Sequence, residues 1–136
     1  MTQQAMGLMD FVKAAKAAIT EVDGAKLQVM RSERPDLLIL DVRESGEHEQ
    51  GYLEGAMLVP RGILEAAADF NYPKRVQTLV EARERPIVVY CATGGRSAMA
   101  AVTLKQMGFN EVYSLAGGIA QWSDEKRPLL REATYV

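Results

Sequence analysis

Pro86-Ile87-Val88-Val89-Tyr90-Cys91-Ala92-Thr93-Gly94-Gly95-Arg96-Ser97 is an apolar run that stops at the chain's one cysteine and passes at once into two glycines, an arginine and a serine. A short, continuous apolar run bounded by turn residues predicts a strand buried on both faces. Beyond it, Ala100, Ala101, Leu104 and Met107 recur on one helical face, and Gly108 stands where a glycine ends a helix. The stretch therefore reads as strand, loop, helix, with Cys91 at the carboxyl end of the strand.

The same alternation extends outward in both directions. Met6 to Ile19 predicts a helix with Leu8, Met9, Val12, Ala15 and Ile19 near one face. Ile19–Val22 reads as a first strand, and Asp23 as the N-cap of a helix from Gly24 to about Arg31. Leu37–Leu40 is a buried strand, Glu44–Gly51 a short helix, and Ala56–Val59 a strand halted by Pro60. Pro73 opens an expected helix carrying Val76, Leu79 and Val80. Glu111–Leu115 is a last strand, followed by Gly117-Gly118 and a short helix with Trp122 as a core anchor. Strands alternating with helices predict an α/β fold: a central, mostly parallel five-stranded sheet with helices on both faces. Residues 1–19 are expected as an N-terminal helical extension and residues 20–136 as the domain proper.

Ligands of such sheets gather at the carboxyl ends of the strands. Three polar clusters fall there: Asp41-Val42-Arg43-Glu44, Pro60-Arg61-Gly62, and the Cys91 loop. Composition narrows the possible partners. Sixteen basic against eighteen acidic side chains leave a net charge of −2, which gives no electrostatic case for nucleic acid or a membrane surface. No run reaches the ~18 to 20 apolar residues of a membrane span, and the N-terminus lacks a basic leader with an apolar core. A single cysteine excludes an internal disulfide, a CxxC pair and a cysteine-rich metal site. The expectation is a cytoplasmic protein that needs no metal or other cofactor.

A lone cysteine is most often a small buried hydrophobe, so its neighbours decide its reading. The thiolate, not the thiol, is the nucleophile, and a helix N-terminus contributes only about 0.3 to 1 kcal/mol to a nearby anion. The loop offers more: Arg96 is a permanent cation, and the amides of Ala92, Thr93, Gly94, Gly95, Arg96 and Ser97 form an anion-binding nest if they turn inward. Glycines at 94 and 95 permit the positive φ that such a turn needs, and Ser97 adds a hydroxyl. A nucleophile followed by a cation and a row of donors is a covalent-catalysis pattern.

Cys91-Ala92-Thr93-Gly94-Gly95-Arg96-Ser97 resembles the CxxGxRS active-site loop of rhodanese-type sulfurtransferases. Asp41–Gly62, DVRESGEHEQGYLEGAMLVPRG, and Gly108–Trp122, GFNEVYSLAGGIAQW, resemble two further segments of that family in family order. The resemblance implies a rhodanese-like fold and a persulfide mechanism. Cys91 would take a sulfane sulfur from thiosulfate or a persulfide and pass it to cyanide, a thiol or a protein acceptor. The loop residues Ala92 to Ser97 would bind the donor, and Asp41, Arg43 and Arg61 would support the site from adjacent strand ends. Where the family often has histidine after glycine, this chain has Tyr52, so its one histidine, His48, is read as a partly exposed helix residue.

Three other functions compete with this one. A persulfide relay between proteins uses the same residues. A binding module without chemistry sits poorly with the presence of both Cys91 and Arg96. Phosphatases of the same fold place one residue more between cysteine and arginine than the four found here, giving a ring wide enough for phosphate.

Overall fold

In the computed structural model, which describes residues 4–131, the chain runs α1 (Leu8–Ala18), β1 (Thr20–Val22), α2 (Gly24–Glu33), β2 (Leu38–Asp41), α3 (Ser45–Glu49), β3 (Met57–Leu58), a 3-10 turn (Arg61–Ile63) leading into α4 (Leu64–Ala68), α5 (Gln77–Val80), a second 3-10 turn (Glu81–Glu84), β4 (Pro86–Tyr90), α6 (Gly95–Gln106), β5 (Glu111–Leu115) and α7 (Gly118–Asp124). The five strands form one parallel sheet in the order β1-β5-β4-β2-β3. All five residues of β4 are buried, as its unbroken apolar run requires of a central strand with both faces covered.

Strand alternation sorts the core into two layers. Ile87, Val89 and Cys91 point to one face, with Leu38, Leu40, Leu64, Leu79, Ala101 and Leu104. Val88 and Tyr90 point to the other, with Leu27, Met30, Ile39, Leu53 and Trp122. Cys91 therefore continues the inward phase of β4 toward α6, and its side chain is 1% exposed. The register Asp41↔Tyr90 sets the end of β2 beside the end of β4, so the Asp41 and Cys91 loops emerge side by side. Trp122 anchors the last helix from below, fully buried with its indole N–H donating to Pro128 O at 2.8 Å.

Two segments differ from the sequence expectation. No helix starts at Pro73. Arg75 N–H bonds back to Tyr72 O and Val76 N–H to Ala67 O, so residues 73–76 form a turn and α5 begins only at Gln77. The short α4 gave too few residues for a periodic signal. In α1, Val12 and Ala15 are buried, whereas Leu8 and Met9, expected on the same face, are 68% and 67% exposed. Among the described residues no helix is long and apolar enough to cross a membrane.

Candidate active site

The chain between β4 and α6 folds around the Cys91 sulfur. The amides of Gly94 and Ser97 donate to Sγ at 3.1 and 3.3 Å. Ser97 Oγ lies 3.4 Å from Sγ and 2.8 Å from Ser114 Oγ, and both serines are fully buried. The hydroxyl pair can turn either way: a thiol donates to Ser97, and a thiolate accepts from it. Gly94 takes φ +105 at the N-cap of α6, the conformation that aims successive amides at one point. Gly95, in contrast, is the first residue of α6 without a positive φ. Its lack of a side chain serves packing, since a Cβ there would stand 3.3 Å from Val12 Cγ2 of α1.

A cavity of about 350 Å³ opens over the sulfur between α1 and the loop, lined by Leu8, Met9, Val12, Lys16, Thr93, Gly95, Arg96 and Met99 with Cys91 at its base. The amides of Thr93, Gly95 and Arg96 have no hydrogen-bond partner among the described residues, as expected at a helix start where no preceding carbonyl is in reach. These spare donors border the cavity, so an anion reaching Cys91 meets them.

Arg96 is engaged more tightly than its sequence position suggests. Both terminal nitrogens bind the Glu47 carboxylate, at 2.8 and 3.0 Å. Glu47 is the residue sequence reasoning missed: it looks like a solvated acid in a polar helix, and no local signal links it to a loop 49 positions away. The Arg96 bond holds its carboxyl down to about 2. Because the folded value lies below the ordinary one of 4.5, the pair's contribution is full above about pH 4.5 and fades as pH falls toward 2. A carboxyl-carbon NMR titration should therefore place Glu47 well below the same group in the unfolded chain. A midpoint near 4.5 in the folded protein would mean that the ion pair is open in solution.

Behind the loop, Asp41 is fully buried and accepts five hydrogen bonds. Oδ1 takes the Arg43 amide and Nε, both at 3.0 Å, and Oδ2 takes Arg43 Nη2 at 2.8 Å, His48 Nδ1 at 2.9 Å and Tyr90 Oη at 3.0 Å. Burial opposes the charge, but the bonds from Arg43 and His48 outweigh it and hold the carboxyl below its ordinary value. An ionised carboxylate only accepts, so His48 carries its proton on Nδ1. His48 is the partly exposed helix residue expected, its side chain 14% exposed, and beyond that expectation it closes over Asp41 and stacks on Tyr52 with centroids 4.3 Å apart. Arg43 also donates to Glu47 O and Gly51 O, so the Asp41 network fixes the helix that carries Glu47. Arg61 departs from the expected convergence. Glu65, one turn on, and Thr103 of α6 take its guanidinium, and it lines a neighbouring groove with Phe11 and Met99. Among the described residues no group of three or more His, Cys, Asp or Glu side chains forms a metal-ligand set.

The loop is clamped from its far side by α7. Ile119 N–H donates to Cys91 O at 2.9 Å and Ala120 N–H to Ala92 O at 3.0 Å. Gly117 and Gly118 precede these donors with φ +72 and +59. A Cβ on Gly118 would lie 2.5 Å from Ala92 O and 2.6 Å from Cys91 O, both backbone, whereas the nearest atoms to one on Gly117 belong to the Gln121 side chain. Both alanine substitutions incur the left-handed strain of about 1 to 3 kcal/mol, but only Gly118→Ala also displaces the cysteine loop. Urea unfolding should show Gly118→Ala the less stable by about 2 kcal/mol or more. Equal losses would mean that the clamp is dispensable.

A family model described as a rhodanese-like domain matches residues 25–125. A sulfurtransferase from Allochromatium vinosum is 29% identical over 82% of this chain and 95% of its own. The tRNA uridine(34) hydroxylase of Citrobacter koseri is 33% identical over 68% of this chain, which spans only 25% of that longer protein. Among solved structures, a Rhodopseudomonas palustris protein of unknown function, described as a possible tyrosine phosphatase, superposes with a TM-score of 0.84 at 30% identity, covering 96% of this chain and 99% of its own.

Proposed function

The chain belongs to the rhodanese-like domain family, and from that premise we propose that it is a sulfurtransferase working through a persulfide on Cys91. The observation that carries the reading is the nest: two amides already donating to Sγ and a hydroxyl 3.4 Å from it, with three unpartnered amides bordering the cavity above it. The first set suits an anionic sulfur at the attacking position, and the second suits the extra sulfur after transfer. In the step proposed, the Cys91 thiolate attacks the outer sulfur of thiosulfate and the S–S bond electrons leave with sulfite. Cys91–S–S⁻ remains until cyanide, a thiol or a protein acceptor takes the sulfur and regenerates the thiolate. The tRNA-modifying and sulfurtransferase relatives differ in what surrounds such a domain, so the acceptor belongs to the proposal as a class only.

The experiment is a mass measurement on the intact protein after thiosulfate or polysulfide treatment. One sulfur atom added, removable by cyanide and absent when Cys91 is alkylated first, is expected. No cyanide-labile sulfur under any donor would defeat the proposal. The phosphatase description of the Rhodopseudomonas palustris relative suggests a second test. Arg96, which a phosphatase needs free for phosphate oxygens, has both terminal nitrogens on Glu47, so aryl phosphate hydrolysis is expected to be absent.

A further inference from the structure

Helix α3 has five residues, too few to hold a place by itself, so its neighbours fix where Glu47 sits. Arg43 and Asp41 hold it from the end of β2, through Glu47 O and His48 Nδ1. A second hold comes from residues 126–131, which lie beyond those that the family model matches. Tyr52 and Leu130 exchange both backbone bonds of an antiparallel bridge, Tyr52 N–H to Leu130 O at 2.9 Å and Leu130 N–H to Tyr52 O at 2.8 Å. Arg131 Nη2 adds a bond to Gln50 Oε1 at 3.2 Å. The segment is itself anchored: the buried Trp122 donates to Pro128 O, and Arg127 N–H donates back to Trp122 O at 3.1 Å. Where it turns, Lys126 takes φ +63, the one non-glycine among the described residues with a positive φ. Strain of that kind persists only where surrounding contacts over-determine the backbone.

From the bridge, side chains lead to the site. The Tyr52 ring stacks on His48 with planes 12° from parallel. His48 follows Glu47 on α3, and Glu47 holds both terminal nitrogens of Arg96. Leu129, beside the bridge, lines with Arg43, Glu47 and Ile119 a cavity of about 220 Å³, which leaves α3 room to shift once the bridge is undone. Neither Tyr52 nor Leu130 lines the cavity over Cys91. We propose that these two are positioning residues: the bridge and the Tyr52–His48 stack set α3 so that Glu47 meets Arg96, and through Arg96 they govern how an anionic substrate is received. The effect on substrate rests on the sulfurtransferase reading; the effect on Glu47 does not. Glu47 reports the placement directly. Its carboxylate faces Arg96 from α6 and Arg43 from the end of β2, with the Glu44 amide on its own helix, and Arg96 has the largest share in holding it at about 2.

The test is a carboxyl-carbon NMR titration of Glu47 in variants of the whole chain. Tyr52→Ala removes the stack and keeps the backbone bridge. Leu130→Pro removes the amide that donates to Tyr52 O and keeps the carbonyl. Each should raise the Glu47 midpoint by about one pH unit, the mark of a roughly tenfold weaker pair with Arg96. Tyr52→Phe keeps the ring, and Leu130→Ala keeps the amide while trimming a side chain 43% exposed, so both should titrate as the parent does. In the two disruptive variants the thiosulfate KM should rise about threefold with kcat unchanged, since the cation is displaced and the nucleophile is not. Should Leu130→Pro fail to fold by circular dichroism, Tyr52→Ala against Tyr52→Phe decides alone. An unmoved Glu47 midpoint in either folded disruptive variant, or a shift in Leu130→Ala equal to that in Leu130→Pro, overturns the positioning role and leaves the sulfurtransferase reading standing. A moved midpoint in a protein whose Cys91 accepts sulfur from no donor supports the positioning role and removes the sulfurtransferase reading.

Discussion

Cys91→Ser should lower sulfur transfer from thiosulfate to cyanide by at least about a thousandfold while the protein stays folded. The substitution exchanges one atom in a site that can still satisfy it, because the Gly94 and Ser97 amides donate to oxygen as readily as to sulfur and Ser97 Oγ accepts from a hydroxyl as it does from the thiol. What is lost is chemical. An alkoxide does not form at neutral pH in the way a thiolate does, and an oxygen nucleophile cannot hold a transferable sulfur as a persulfide. No second cysteine exists in the chain to take over. The loss should therefore appear in kcat, with donor binding largely retained and the urea midpoint within error of the parent. Arg96→Ala makes the opposite contrast: donor KM should rise first, because it removes a cation and releases Glu47 to repel anions. Retention of a tenth of the parent rate in Cys91→Ser would require a nucleophile elsewhere, and the proposed mechanism would fall.

How far the sequence carried depends on whether the cause of a feature is local. The strand before Cys91 and the helix after it were legible because apolar period and glycine position encode them within a dozen residues, and β4 and α6 occupy those places. The sheet followed because five such units in alternation admit few arrangements. The Glu47–Arg96 pair joins residues far apart in the chain, and no pattern in either segment encodes the other. The partner of His48 was hidden for a similar reason: the residue is partly exposed, as its polar helix suggests, and only the packing of α3 against the end of β2 shows that it faces a buried carboxylate. Gly118 reads as an ordinary turn glycine until the backbone of Ala92 is found 2.5 Å from where its Cβ would stand. Helix α1 shows the limit of periodicity itself. The pattern placed Leu8 and Met9 on the face with Val12, and they do share that face, but it meets an open cavity there and not a core.

The same long-range wiring makes Asp41 the position whose loss should cost the fold most. Asp41→Asn preserves shape and removes one acceptor oxygen with its charge. At the Oδ2 position Arg43, His48 and Tyr90 all donate, so an amide nitrogen there sets a donor against three donors. Flipping the amide moves the conflict to the Arg43 amide and Nε at Oδ1. Arg43, 5% exposed, is then a buried cation without a counterion, the circumstance in which breaking a pair costs about 3 to 5 kcal/mol. Urea unfolding should register a loss of that order. Arg43 also holds Glu47 O and Gly51 O, so the disturbance should reach α3, loosen the Glu47–Arg96 pair and raise donor KM in whatever fraction remains folded. Acid should reproduce the substitution in the parent protein. The Asp41 carboxyl is held below its ordinary value near 3.8, so the stability it contributes is complete above that pH and is withdrawn as pH falls through the lower, folded value. Between neutrality and about pH 2 the parent should therefore lose more stability than the Asp41→Asn protein, whose curve lacks this component. Parallel curves for the two proteins would mean that Asp41 is not the charged hub of the network.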